Sequence, residues 1–193
     1  AVTGPLTIAG AVNFASEVTL PDLTLTGTLG GSGRVTIGGV LRWSSGTMVG
    51  SGVTVLPAGT VVEISTGNAK SVQDGRRLVV ETPVVWTGGS LFLDNRSVGG
   101  ATVENRSEWT FADGAGVAWS NFNGLPVAFV NAGTVVKSGA GTQSEISAPL
   151  GNEGLMKVNE GTLRLTGGGT SSGVLEVAAG ASLRLTSGLD FPA

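Results

Sequence analysis

The side chains equipped to do chemistry are few, and they are acids, arginines and indoles. The chain has no histidine and no cysteine, so an imidazole base, a thiolate nucleophile and the usual zinc ligands are missing together. Acid–base work would fall to carboxylates. Asp94, Glu104 and Glu108, with Arg96 and Arg106 beside them, form the densest charged group in the sequence. Two carboxylates helped by a cation are what glycan hydrolysis or elimination requires. The same residues also suit a plainer role as solvated outward positions, pairing loosely with neighbours for roughly 0–1 kcal/mol each. A lyase site would stack further acids on one strand face, and the sequence holds no such ladder. The plainer role is favoured, and no catalytic, metal-binding or cofactor-binding residue is assigned.

Indoles come next. Trp43 and Trp86, followed by Trp109 and Trp119, would make a sugar-binding strip if they stood exposed, because an indole face packs on the apolar face of a sugar. Parity argues otherwise. In Leu41-Arg42-Trp43 the indole shares its side with Leu41, and Trp109 shares its side with Phe111. Core or corner packing is the expectation, with Trp43, Trp86, Asp94, Glu104 and Glu108 kept as weak candidates for glycan contact. Asn95-Arg96-Ser97 and Asn105-Arg106-Ser107 match the glycosylation acceptor pattern, and chance is the better reading of both. Glycine runs such as Gly167–Gly169 precede no helix, so they are corners and not phosphate loops. Thr24-Leu25-Thr26 would begin an ice-binding ladder, but the aligned Leu163-Arg164-Leu165 and Leu183-Arg184-Leu185 do not repeat it.

The elements that must carry these residues are short strands. Hydrophobic residues make up 40%, charged residues 13%, and glycines number 33 against 7 prolines, a balance too apolar for disorder and without the three-residue glycine period of collagen. A net charge of −3 supplies no basic footprint for nucleic acid and no polybasic patch for lipid. No apolar run approaches the roughly 18 residues of a spanning helix. The chain opens at Ala1 without a charged leader, and reads as a mature product or an excised fragment, with residues 1–193 forming one domain.

Self-comparison decides the architecture. Gly52–Gly67 matches Gly173–Gly188 without a gap, 121 positions on, which is about six units of ~20 residues. Asn131-Ala132-Gly133 recurs as Asn152-Glu153-Gly154, Leu163–Thr166 recurs as Leu183–Thr186, and Trp43 and Gly46 recur as Trp86 and Gly89. Val35-Thr36-Ile37 and Leu78-Val79-Val80 share that last spacing, as two turns should. Each unit holds strands too short to stand alone, so units must stack, each strand pairing in parallel with its counterpart about 4.8 Å away. The expected fold is all-β: a right-handed parallel β-solenoid of about nine coils, a rod roughly 40–45 Å long.

Three details follow from the register. Aligning Gly154 with Gly173 places Lys157 over Glu176, both outward, with charged atoms within about 4–5 Å. Asn131 and Asn152 fall at one point of successive coils, where stacked amides would satisfy corner backbone groups. Two stretches fit poorly, 65–75 and 112–124, and both are expected to loop out of the stack, where solenoids usually carry function.

The repeats themselves resemble a known group. Thr24–Leu29, Gly33–Ile37, Trp43–Gly52, Val130–Lys137 and Gly161–Gly168 are similar to the repeats of large bacterial surface and secreted proteins, the β-helical passenger or stalk regions of autotransporter and filamentous-haemagglutinin-type adhesins. The resemblance covers nearly the whole chain and marks architecture, not activity. It implies an extracellular or cell-surface rod, non-catalytic, structural or adhesive, with a surface glycan or protein as partner. A glycan-binding or glycan-processing β-helix, and a phage-fibre or pilus-associated part, are the alternatives. The solenoid ends, lacking an obvious polar cap, would permit self-association, whereas nucleic acid and membrane insertion are not expected.

Overall fold

In a computed structural model the chain is described at residues 2–64, 67–95, 99–120 and 124–192. Among these residues there are strands and no helix, and every strand pair is parallel. The strands wind as a β-solenoid of about eight turns, close to the nine coils expected from the repeat. Each coil contributes one strand to each of three faces. The second face is a ladder of nine strands, from Ala11–Asn13 to Ser182–Leu185.

The first face, which continues from Val84–Trp86 to Val174–Val177, and the third, which continues from Val53–Leu56 to Leu189–Asp190, merge near the start. Val18–Leu25 and Arg34–Trp43 run through the corner, so one strand serves two faces. Their register shifts between Leu20 and Asp22, which accommodates the extra residue of Gly38-Gly39. The bulge leaves the Val40 amide without a ladder partner, and it donates to the Asp22 carboxylate at 2.8 Å.

Period-two alternation sets the core. Leu23, Leu41 and Val62 occupy one inward column in successive coils, and Val117, Ile146, Leu165 and Leu185 another. Leu163 lies in register with Leu183, and Val35 and Leu78 both pair with Thr54, two turns apart. Each fully buried aliphatic side chain contributes about 1.5–3 kcal/mol relative to exposure, and the columns make that contribution continuous along the rod.

Corners need glycine where strands approach closely. Gly46, at φ +89°, would place an added Cβ 2.2 Å from the Gly27 carbonyl oxygen, and Gly89 repeats the positive φ at the matching corner two coils on.

The two poorly repeating stretches need correction. Lys70–Gln73 is a strand of the second face, paired with Gly46–Met48 and Ser90–Asp94. Gly116–Ser120 is a strand of the same face. Both were obscured because a cation or small residues stand where the repeat has aliphatic ones. Ser65, Thr66 and residues 121–123, within these stretches, lie outside the described residues.

Candidate functional site

The five glycan-contact candidates do not converge. Asp94 ends a second-face strand and is buried, accepting a hydrogen bond from Gln73 Nε2 at 3.0 Å. Glu104 projects from the third face and Glu108 from the first. Arg96 lies outside the described residues. Separation on three faces follows from the coil itself: 10 residues of sequence carry the chain around a corner, so proximity in sequence is not proximity in space.

Glu104 has other partners. Arg77, one coil before it on the third face, donates through Nε at 3.0 Å and also through its terminal nitrogen. Arg106 donates from Nε to the second carboxylate oxygen at 2.6 Å and reaches Glu81 at 3.1 Å. Partial burial alone would raise the Glu104 carboxyl, but hydrogen bonds and charge from Arg77 and Arg106 outweigh it and hold it below the ordinary carboxylate range. The result is a four-membered chain of alternating charge beside the half-apolar third face. A carboxylate locked between two guanidinium groups is a poor base.

Other outward charges are consumed the same way, across rungs. Lys157 Nζ stands 3.2 Å from Glu176, in the register read from the sequence. Arg42 pairs with Glu63 at 3.0 Å and Arg164 with Glu145 at 3.3 Å.

The indoles are internal. Trp43 and Trp86 are each 1% exposed, with ring centroids 6.0 Å apart in a T-shaped contact, and Trp86 stacks on Trp109 at 5.4 Å. Phe129 meets Trp109 edge-on at 5.5 Å. No face of these three rings is presented to a ligand. Trp119 is half-buried against the core.

Asparagines form the ladder expected of them, and it is longer. Asn105 Nδ2 donates to Asn131 Oδ1 at 2.8 Å, Asn131 Nδ2 to Asn152 Oδ1 at 2.8 Å, and Asn152 Nδ2 to Ser171 Oγ at 2.9 Å. Each of the first two also caps the carbonyl that opens a strand in the following coil, Thr134 and Leu155. Asn105 is therefore a core corner residue, which its acceptor pattern concealed. Of the other acceptor match, Asn95 is buried and donates to the Leu125 carbonyl, while Ser97 lies outside the described residues.

Three buried cations were not singled out from the sequence. Arg76 donates from Nε and a terminal nitrogen to Thr54 Oγ1, at 3.0 and 2.7 Å, and from the other to the Gly31 carbonyl. Burial lowers its guanidinium to about 10. Lys70 donates to the Asn68 carbonyl and lies 5.6 Å from the Trp86 ring centre. Lys137 occupies an inward column between Phe111 and Val158 and is 0% exposed. Its ammonium turns back into the next corner, donating to the carbonyls of Ser138 and Gly139 and to Thr142 Oγ1 at 2.7 Å. Burial lowers its ammonium from the ordinary lysine value, against the raising charges of Asp113 and Glu160. The signal was present: Lys137 shares its parity with Val135, and Lys70 with Val72.

Among the described residues no group of three acids gathers as a metal site, and no helix is long and apolar enough to cross a membrane. The polar surface does hold a trough, at the corner between first and second faces, of about 540 Å³. What fold and surface together define is a parallel β-solenoid with several of its outward charges paired across rungs. Compared with protein-family models, curated proteins and solved structures, the chain matches none, so the likeness to surface-protein repeats rests on the repeat residues themselves.

Proposed function

We propose that this chain is a non-catalytic, rod-like structural or adhesive segment of a bacterial cell-surface or secreted protein. One observation carries the reading: outward charges pair with the next rung, as Lys157 does with Glu176, instead of converging on a cavity. A continuous apolar core and a buried amide ladder support a spacer whose stability is spread along its axis. The likeness to surface-protein repeats supports its placement outside the cell.

Self-association through the ends belongs to the same reading, with a second copy as the partner. In the last coil Val177, Leu185 and Phe191 are 48%, 44% and 58% exposed. The strand edges there offer backbone groups to another coil. Half-buried Leu6, at the opposite end of the first-face columns, gives a second copy a matching apolar side chain.

Small-angle scattering and sedimentation test the rod and its association, with an elongated particle about 40 Å long per copy expected. Turnover of a panel of polysaccharides, abolished by Glu104→Gln, would sink the non-catalytic reading. Protection of the chain from added protease on intact cells of its host would sink its surface placement.

A further inference from the structure

The trough adjoins a second depression, the two sharing Gln143. Its floor and walls come from three successive corners, at 140–142, 159–161 and 179–180, together with the strand starts Gln143, Thr162 and Ser182. Gln143 also lines a depression of about 290 Å³ on the second face, which reaches back to Gly116 and Ser90. Ser90 pairs with Gly116, Val117 with Ile146 in the strand that Gln143 opens, Gln143 with Thr162 and Thr162 with Ser182, so the two depressions lie on five successive second-face strands, about 20 Å at the rung spacing.

Chemistry narrows the occupant. Glycines and alanines keep the lining shallow, and most of its polar side chains are hydroxyls and amides, groups that can both donate and accept. Of the two carboxylates, Glu145 is engaged by Arg164 and by Thr166 Oγ1 at 2.7 Å, and Glu160 accepts from the Gly139 amide at 3.1 Å. No cation lines the walls, so a polyanion finds no counter-charge. The floor strands are already paired with one another, which leaves no edge for an added peptide strand.

One wall is built at a cost. The 138–142 turn carries Gly139 and Gly141 at φ +94° and +73°, a flexible segment by composition. It is braced from inside by the buried Lys137 ammonium and across the trough by Glu160. Burying a lysine among Phe111 and Val158 is unfavourable, and what that lysine holds in place is this wall.

We propose that the trough binds a neutral saccharide chain lying along the solenoid axis, on a wall preorganised by Lys137. The proposal goes beyond the rod reading, which scattering and sedimentation decide independently. The probes are neutral β-linked hexasaccharides of glucose, xylose and N-acetylglucosamine, titrated calorimetrically and followed by amide chemical shifts. At least one should bind, with shifts confined to the lining of the two depressions, at 90, 114–118, 139–147, 159–162 and 179–182. The double variant Gln143→Ala with Thr162→Val, and separately Lys137→Met, should each weaken binding about tenfold or more. If Lys137→Met fails to fold, the double variant decides. Absence of binding by all three probes overturns the proposal. So do affinity unchanged in the double variant, shifts located elsewhere, or preference for a tetralysine peptide.

Discussion

Asn131 Nδ2 lies 2.8 Å from Asn152 Oδ1, one coil above it, while Asn131 Oδ1 receives the amide of Asn105 from the coil below. Both residues are buried, and each amide orientation is dictated by its neighbour. The ladder turns a local requirement, capping strand-opening carbonyls, into a coupling between coils.

Asn131→Ala removes the middle of that chain. It deletes hydrogen bonds to Asn152 and the Leu155 carbonyl, and leaves Asn105 Nδ2 with the Thr134 carbonyl alone. Unfolding free energy from urea titration should fall by about 2–4 kcal/mol. Ser171→Ala, at the ladder's end, should cost about 1 kcal/mol.

Lys137 offers a test of sign. Its ammonium is lowered by burial from 10.5, so in the interval between the folded and ordinary values the unfolded chain binds more protons. Stability therefore rises as pH climbs through that interval. Lys137→Met, which suits the Phe111–Val158 column, should shrink the rise to the part that buried Lys70 and Arg76 still supply, while keeping the neutral-pH urea midpoint at or above wild type. Lys137→Ala leaves a cavity and should lose about 2–3 kcal/mol.

Glu104 works in the opposite pH range. Its carboxyl is held below 4.5 by Arg77 and Arg106, so its contribution is present above that value and lost as pH falls through it towards the folded value. Glu104→Gln should cost about 1 kcal/mol at pH 7 and progressively less as pH falls below 4.5, read from paired denaturation curves.

Two glycines of similar φ separate backbone strain from collision. At Gly46, φ +89°, an added methyl meets the Gly27 carbonyl, whereas Gly59, φ +92°, faces open space. Gly59→Ala should cost about 1 kcal/mol, the strain alone. Gly46→Ala adds a clash between neighbouring coils and should lower the thermal midpoint by several degrees more.

The sequence by itself determined the coil and most of its register. A period near 20 with two-residue alternation states which side chains stack and which side they face, and Leu163 over Leu183, Asn131 over Asn152 and Lys157 over Glu176 all follow from it. Even the burial of Trp43 and Lys137 is a matter of parity with Leu41 and Val135. What parity does not carry is the angle at which the chain leaves each corner. Only the tertiary structure decided that Asp94, Glu104 and Glu108 occupy different faces, and that Arg77, 27 positions before Glu104, is its partner. Only there does the Lys137 ammonium reach around a corner to brace a wall of the trough. Alternation is a property of neighbouring peptide units, whereas a site is made where separate coils turn, and the turn depends on contacts the chain meets only once it has wound.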